Sequence, residues 1–341
     1  MSDHLEPKSA GGITRRDLLR AGAAGLLLGS GLLLIPKRYF RMPQQGQSFV
    51  TKVGRYQLDI ADAITRGIQE LGISPEELKG KRILLKPNLV ETASGAPHIN
   101  THPLVLRGAI EAFLGLGAAT VMVAEGPGHR RDTLAVYEES GLADVLTEDR
   151  IRFHDLNYIT GYEVPNAGRQ SSMRTLTFPV LFREVDWIVS VAKMKTHHLA
   201  GATLSMKNLF GVMPGIYYGW PKNVLHHAGI ENSILDINAT LKPHFAIVDC
   251  IVGMQGDGPI MGDPKQVGVL VMGRNLAAVD ATCCRIMGID PYKLSYLERA
   301  DNWLGPIGEG SIEQRGEAIA SVRTNFELID TIPAHQGIRL A

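Results

Sequence analysis

Short apolar runs alternate with amphipathic segments from Phe49 onward, and this alternation constrains the fold more than any other feature of the sequence. The run Trp187–Val191 is apolar and mostly β-branched, as buried strands are. The segment Leu58–Leu71 instead repeats isoleucine every four residues and is followed by Gly72, as in an amphipathic helix. Strands that alternate with helices predict a Rossmann-like α/β fold with a mainly parallel sheet flanked by helices.

The same criteria assign the remaining elements. The predicted strands are Phe49–Tyr56, Arg82–Leu85, Ala119–Ala124, Ile151–Phe153, Met173–Thr177, Trp187–Val191, Phe245–Val248, Val267–Met272 and Phe326–Ile329. The main predicted helices are Leu58–Leu71, one capped by Asn100 or Thr101 with Pro103 in its first turn, Thr133–Ser140, Ile230–Leu241, Leu276–Met287 and Tyr292–Asn302.

Composition limits which partners and cofactors can be expected for this chain. The chain has 341 residues, 45% of them hydrophobic, which is enough for a large core. Its formal net charge of +0 gives no reason to expect a nucleic acid as partner. The three cysteines are Cys250, Cys283 and Cys284, and none forms a C-x-x-C pair. We therefore expect no iron–sulfur cluster within this chain.

The N-terminus has the pattern of a targeting signal. Residues 1–13 are polar and are predicted to be a disordered n-region, and residues 14–36 combine paired arginines, Arg15 and Arg16, with a long apolar stretch. This pattern predicts a twin-arginine export signal, with an ordinary membrane anchor as the alternative. Because Leu18–Ile35 is just long enough to span a bilayer, an uncleaved signal would hold the protein at the membrane. The predicted location is the periplasm or the extracytoplasmic membrane face.

The domain boundaries follow from this division. Residues 37–48 form a predicted linker, residues 49–300 a single α/β domain and residues 301–341 a C-terminal extension.

Five groups of polar or glycine residues follow the predicted strands. They are Lys86 with Asn88, Glu125 with Gly126, the stretch Lys193–His198, Asp249, and the glycine-rich stretch Gly253–Gly258. Ligands of parallel α/β sheets bind at the carboxyl ends of the strands. The sequence therefore predicts one shared crevice at that edge, although polar loops at a sheet edge are an alternative explanation.

Several of these residues belong to an ordered set of short motifs. The set comprises Lys86-Pro87-Asn88-Leu89, Glu125-Gly126-Pro127, Lys193-Met194-Lys195-Thr196-His197, Met206-Lys207-Asn208-Leu209, His226, Val248-Asp249, Gly256-Asp257-Gly258-Pro259 and Ala278-Val279-Asp280-Ala281. In order and spacing it resembles the domain-of-unknown-function 362 family across residues 80–290. The chemistry of that family is not established. Many members look like fusions to ferredoxin-type cluster domains, so the resemblance implies redox-linked work, here with a redox partner protein.

Lysines dominate the predicted crevice. Lys86, Lys193, Lys195 and Lys207 together would bind a phosphate, a carboxylate or an anionic cofactor. A lysine crowded by other cations has a lowered pKa and can act as a base or nucleophile. The predicted catalytic residues are Lys193, Lys195, His197, Lys207 and Asp249. The predicted binding residues for an otherwise unknown cofactor are Lys86, Asn88, Glu125, Gly126, Asn208, Gly256 and Gly258.

The histidines leave three roles open: metal ligation, acid–base work and a purely structural role. The candidate metal ligands are His197, His226 and Asp249, of which the two histidines lie in the family motifs. Their spacing matches no known structural zinc site.

Two loops have a functional and a plainer explanation. The stretch Gly253–Pro259 could bring backbone amides close to a phosphate, or simply form a tight turn. The aromatic and glycine-rich stretch Met213–Trp220 could close over a ligand as a lid, or face a membrane or a partner.

Two classes of function fit these residues. The first is an exported enzyme that acts on an anionic small molecule through a Lys/His/Asp pocket. The second is a non-catalytic factor that binds a ligand or assembles a redox complex at the membrane surface. The enzyme is favoured because mixed Lys, His and Asp clusters more often perform chemistry than binding alone.

Overall fold

The computed structural model describes residues 44–57, 59–92, 94–128 and 132–341. The predicted n-region, the twin-arginine segment and most of the linker therefore lie outside the described residues. Within the described ranges, no helix has both the length and the apolar character needed to cross a membrane.

The described residues form eleven strands and twelve α-helical segments. The strands are β1 Gly46–Lys52, β2 Arg82–Pro87, β3 Thr120–Glu125, β4 Phe153–Asp155, β5 Gly161–Pro165, β6 Thr175–Pro179, β7 Trp187–His197, β8 Gly201–Thr203, β9 Phe245–Gln255, β10 Asp263–Gly273 and β11 Ile312–Gly316. The helices are α1 Ile60–Glu70, α2 Pro75–Leu78, α3 Pro103–Gly115, α4 Thr133–Glu139, α5 Leu142–Glu148, α6 Ser205–Asn208, α7 Gly215–Tyr218, α8 Asn223–His227, α9 Ile230–Leu241, α10 Leu276–Met287, α11 Ser295–Ala300 and α12 Ile319–Val322.

Nine of the described strands form one sheet in the order β11–β1–β10–β9–β7–β2–β3–β4, with β8 paired to the end of β7. Five of its eight strand pairs run parallel, which confirms the predicted mainly parallel α/β fold. From β2 the chain first adds β3 and β4 on one side, and then β7 and β9 on the other. Such a reversal of strand order opens a crevice at the carboxyl ends of the two central strands, β2 and β7.

Helices cover both faces of this sheet. The cluster that includes Ile64 of α1 and Phe113 of α3 packs on one face, with Val189 of β7. The cluster that includes Ile234 of α9 and Cys283 of α10 packs on the other, with Ile188 of β7. Successive residues of β7 thus point to opposite cores, so every residue of the strand is buried.

Strand β7 is six residues longer than its apolar run predicts. It continues from Val191 to His197, and Lys193 and Lys195 lie inside it, fully buried. The predicted end of the strand at Val191 was therefore wrong. Hydrophobic patterning cannot detect a strand whose charged side chains find buried partners.

Several boundaries differ elsewhere. No strand forms in the described segment Phe326–Ile329; instead the edge strand β11 pairs with β1, which begins three residues before the predicted Phe49. Helix α3 is capped by His102, whose Nδ1 accepts from the Leu104 amide, rather than by Asn100 or Thr101. Asn100 Oδ1 instead accepts from the Val90 amide in the loop after β2, and Thr101 Oγ1 donates to the Val191 carbonyl within β7. Helices α9 and α10 have the predicted bounds.

Candidate functional site

A cavity of about 780 Å³ opens at the carboxyl ends of β2, β3 and β7, where the strand order reverses. Its polar lining residues are Lys86, Asn88, Glu125, Lys195, His197, His198, Thr203, Lys207, Asn208, Lys222, His226 and Asp257. Nine of the residues predicted for the site line this cavity: Lys86, Asn88, Glu125, Gly126, Lys195, His197, Lys207, Asn208 and His226.

A buried ion pair forms one wall of the cavity. Lys86 Nζ lies 2.7 Å from Glu125 Oε2, and both side chains are 1% exposed. Glu125 also accepts from the Leu89 and Gly126 amides. Burial lowers the pKa of Lys86 and raises the pKa of Glu125, and the mutual attraction opposes both changes. Gly126, next to this pair, lets Asn157 pack against the backbone, since a Cβ there would lie 2.8 Å from Asn157 Oδ1.

Asn208 holds this pair in place. Its side-chain oxygen accepts from Lys86 Nζ at 2.8 Å and from Asn88 Nδ2 at 3.1 Å, while its Nδ2 donates to the Lys86 carbonyl. The short helix α6, which carries Asn208, begins where Asp280 accepts from the Ser205 and Met206 amides. Burial raises the pKa of Asp280 to about 7, although these hydrogen bonds oppose the rise. Asp280 thus positions the segment that bears Lys207 and Asn208.

Lys195 lines the cavity as a buried amine without a carboxylate partner. Its Nζ donates to the carbonyl oxygens of Ile99, at 2.9 Å, and Pro259, at 3.3 Å. Among the described residues no acidic side chain forms an ion pair with it. Burial, followed by repulsion from Lys193, Lys207 and Lys86, holds the pKa of Lys195 well below the usual lysine value.

Lys193 and Asp249 do not line the cavity, although both were predicted to be catalytic. Lys193 Nζ lies 2.6 Å from Asp249 Oδ2 and donates to Tyr56 OH at 2.9 Å, and both charged side chains are fully buried. Asp249 also accepts from the His102 amide and from Tyr56 OH. Lys193 and Asp249 are therefore held by each other and by their neighbours in a buried network of hydrogen bonds.

Lys207 faces the cavity with no carboxylate or carbonyl acceptor among the described residues. Its Nζ lies 4.4 Å from the centre of the Phe210 ring, a cation–π contact. Burial, with a smaller contribution from Lys86, lowers the pKa of Lys207 to about 8. Lys207 is therefore the lysine of the cavity that is best placed to bind an anion.

Lys222 and Thr203 complete the polar lining and were missed in the sequence. Lys222 is 1% exposed, has φ 64°, and donates to Asn157 Oδ1 at 2.6 Å and to the Met213 carbonyl. Burial lowers the pKa of Lys222 to about 7. Lys222 follows Pro221 in a stretch without an apolar run, so periodicity gave no signal. Within the described residues the buried atoms Thr203 Oγ1 and Asn88 Oδ1 have no hydrogen-bond partner.

The three cavity histidines differ in the atom they can offer a ligand. His197 Nδ1 accepts from the Leu199 and Ala200 amides, so in its neutral form Nε2 carries the proton. His198 and His226 instead place Nδ1 against the carbonyls of Gly258 and Lys222, which leaves the Nε2 lone pair available. Burial lowers the pKa of His197 well below its usual value, and that of His226 less strongly.

The candidate metal ligands are not gathered. His197 and His226 line the cavity, whereas Asp249 lies in the ion pair with Lys193. No group of three or more His, Cys, Asp or Glu side chains among the described residues is arranged to hold a metal ion. His197 also presents an N–H rather than a lone pair, which is the wrong polarity for a ligand.

The glycine-rich loop does not present its amides to the cavity. The Gly256 amide donates to the Glu327 carbonyl and the Gly258 amide to the Gly256 carbonyl. A Cβ at Gly258 would collide with the backbone oxygen of Thr196. Neither Gly256 nor Gly258 lines the cavity, and these contacts are those of a turn that follows β9, so phosphate binding by the two glycines stays a prediction.

The stretch proposed as a lid is anchored at several points. Met213 and Tyr218 are buried, and Tyr218 OH accepts from the Thr177 amide at 2.7 Å. Tyr217 OH accepts from the Gly161 amide, and Trp220 packs against Tyr158. The stretch reaches the cavity through its neighbour Lys222, whose ammonium group contacts the Met213 carbonyl.

A family comparison agrees with the motifs. The model of the domain of unknown function DUF362 matches residues 83–285. The chain belongs to this family. The match spans β2 to α10 and therefore includes Lys86, Lys195 and Lys207.

Individual relatives are distant. A thylakoid-associated protein of Synechocystis sp. (strain PCC 6803) is 26% identical over 220 residues, which are 62% of this chain and 64% of that relative. The lactate racemase apoprotein from Thermoanaerobacterium thermosaccharolyticum matches with a TM-score of 0.43 and 18% identity, over 74% of this chain and 58% of that one. A Thermotoga maritima protein matches with a TM-score of 0.39 and 13% identity, over 68% of this chain and 59% of that one. TM-scores below 0.5 do not establish a shared activity.

Proposed function

We propose that the protein is an acid–base enzyme that binds an anionic small molecule in the cavity and moves a proton on it. The observation that carries this proposal is Lys195, a buried amine that meets two carbonyl oxygens and, in the part of the chain that the structure describes, no carboxylate. A structural lysine at such depth is normally paired, because an unpaired buried cation is costly. Lys195 is therefore suited to hold a proton only part of the time, as a catalytic base does.

The charges around the cavity support an anion as the ligand. Four lysines line it, Lys86, Lys195, Lys207 and Lys222, against two carboxylates, Glu125 and Asp257. The Glu125 carboxylate is already paired with Lys86. A bound carboxylate or phosphate would offset the remaining positive charge, and it would raise the lowered lysine pKa values.

The geometry gives each group a role. Lys207 and Lys222 hold the anionic group, and the unpartnered Thr203 hydroxyl donates a hydrogen bond to it. A neutral Lys195 uses two N–H bonds on Ile99 and Pro259, which leaves its lone pair to accept a proton from the ligand. The His197 Nε2–H can stabilise charge that develops on an oxygen of the ligand, while His226 exchanges the proton with solvent.

We also propose that the protein acts outside the cytoplasm, held at a membrane by its N-terminal segment. The paired Arg15 and Arg16 before an apolar stretch support export by the twin-arginine route. The name of the thylakoid-associated relative supports membrane association. Immunoblotting of fractions from a host with and without a working twin-arginine translocase tests this, with Arg15→Lys/Arg16→Lys as the variant that should stay in the cytoplasm.

Two measurements separate an enzyme from a binding factor. Native mass spectrometry of the full chain should reveal a co-purifying anion, and the wild-type protein should exchange a hydrogen of that anion for deuterium in D₂O. Lys195→Met should slow the exchange by about 10²- to 10⁴-fold while the anion still binds. A Lys195→Met protein that loses affinity alone would support the non-catalytic alternative. If the wild-type protein carries no co-purified anion and binds neither phosphate nor acetate, the result would contradict the anion site.

A further inference from the structure

The cavity has a charged floor and an apolar mouth. Lys86, Lys195 and Lys222 are each at most 1% exposed, so they lie at its closed end. Leu199 and Met261 line the same cavity but are 54% and 78% exposed, so they lie where it opens to solvent. A ligand that enters past these two side chains meets apolar surface first and ammonium groups last.

Other apolar side chains also line the cavity. Leu89 and Phe210 are buried, Val90, Pro259 and Ile260 are half-buried, and Pro221 is exposed. His198 and Asp257 are the exposed polar residues of the mouth. A volume of about 780 Å³ is that of a site for a drug-sized ligand, far more than a lone phosphate or carboxylate group fills.

Exposed hydrophobic side chains scattered singly need no explanation, but a group that borders one cavity indicates what the cavity holds. Burial of Leu199 and Met261 against a hydrocarbon would remove apolar surface from water on both sides. The buried lysines require an anionic group at the other end of the same ligand.

We propose that the ligand is an amphipathic anion, with a single carboxylate or phosphate head at the lysines and a hydrocarbon tail along Phe210 and Ile260 to Met261. This proposal rests on the proposed function, since it names the substrate class of the same site. A nucleoside phosphate fits less well, because its base would leave polar edges unpaired against this apolar wall. Two sources share the chemistry: a lipid drawn from a bilayer and a free soluble amphiphile.

Isothermal titration calorimetry of the full chain tests the tail. The probes are inorganic phosphate, n-butyl phosphate and n-octyl phosphate below its micellar concentration, with acetate and octanoate as the carboxylate series. Affinity should increase by roughly two- to fourfold per added methylene. Transfer of each methylene from water to an apolar surface favours binding by about this factor. Adenosine monophosphate is the rival ligand.

Substitutions at the mouth and the floor should have different effects. Leu199→Gln and Met261→Gln should each reduce the ratio of octyl phosphate to inorganic phosphate affinity by roughly three- to tenfold. Lys207→Met should weaken every probe. Leu134→Gln is the matched control, because Leu134 is 52% exposed and does not line the cavity.

The outcomes are distinguishable. Affinities that depend on Lys207 but not on chain length, or adenosine monophosphate binding more tightly than octyl phosphate, would overturn the amphiphile and leave the anion site standing. No binding of any probe would overturn both proposals. If the chain-length dependence appears, native mass spectrometry after incubation with phosphatidylcholine vesicles containing phosphatidic acid identifies the source. A one-to-one lipid adduct indicates extraction from the bilayer, and its absence a soluble amphiphile.

Discussion

Lys193 and Lys195 lie two residues apart on the same buried strand, yet among the described residues only Lys193 pairs with a carboxylate. Its ammonium nitrogen is 2.6 Å from Asp249 Oδ2, whereas that of Lys195 meets the carbonyl oxygens of Ile99 and Pro259. The pairing of β7 with β9 shifts in register between the two positions, so that Lys193 lies opposite Asp249 and Lys195 opposite Met254. This shift separates a structural ion pair from an amine that lines the cavity.

This difference predicts effects of unequal size on stability. Lys193→Met leaves Asp249 buried without its cation and should lower the free energy of unfolding by about 3–5 kcal/mol. Lys195→Met removes an unpaired buried amine and should cost less than about 1.5 kcal/mol, because methionine fills the space while two carbonyls lose a donor. Urea unfolding followed by circular dichroism measures both. Equal losses in the two variants would mean that Lys195 is also a structural lysine.

A methyl group at Gly211 should disturb the Lys86–Glu125 pair. A Cβ there would collide with Glu125 Oε1 and approach Lys86 Nζ, whereas a Cβ at Gly115, on the exposed end of α3, meets nothing within 4 Å. We expect Gly211→Ala to cost about 1–3 kcal/mol of stability and Gly115→Ala to be neutral or stabilising by up to ~1 kcal/mol. Thermal unfolding of both variants checks this. An unaffected Gly211→Ala protein would show that the pair has room to move.

The ligand-free protein should become more stable as the pH rises above neutrality. Burial lowers the pKa of Lys222 to about 7 in the folded state, whereas an unfolded lysine has a pKa of about 10.4. Between these values the unfolded chain binds more protons, so the free energy of unfolding increases with pH, by up to about 1.4 kcal/mol per unit for this lysine. Chemical unfolding of wild type and Lys222→Met across this window measures the contribution. The variant should show the shallower slope, and identical slopes would contradict a largely neutral Lys222.

Anion affinity should change with pH in the opposite direction. The protonated lysines attract the anion, and the pKa values of Lys207 and Lys222 lie at about 8 and about 7. Acetate, whose own charge does not change over this range, should therefore bind about tenfold more weakly at about pH 9 than at about pH 6.5, a difference of ~1.4 kcal/mol. Calorimetry at both pH values, repeated with Lys207→Met, should show a smaller change in the variant. A pH-independent affinity would place the bound anion away from these lysines.

The sequence predicts the architecture better than the site because the two depend on different information. Apolar periodicity located helices α9 and α10 to the residue, since a helix face buried on a sheet repeats regularly. It ended β7 at Val191, because the buried partners of Lys193 and Lys195 come from distant residues such as Asp249 and Ile99.

The crevice itself follows from topology, since strand ends of a parallel sheet share one edge. That rule places Lys86, Glu125 and Lys195 at one edge, and all three line the same cavity. It could not separate Asp249 from the cavity, because this depends on a register shift between β7 and β9 and on Tyr56, a residue of another loop. Lys222 belongs to no sequence pattern that indicates a site. Only its hydrogen bond to Asn157 in the folded chain reveals that its side chain is buried among the site residues.

The protonation state of Lys195 tests the central claim most directly. Nuclear magnetic resonance of protein labelled with ¹⁵N and ¹³C at lysine side chains, with Lys195→Arg to assign the signal, follows the Nζ and Cε shifts as the pH changes. The Lys195 amine should lose its proton at a pH well below that of the exposed lysines, and added phosphate should restore the proton. A Lys195 signal that titrates together with the exposed lysines, with or without phosphate, would contradict a role as catalytic base.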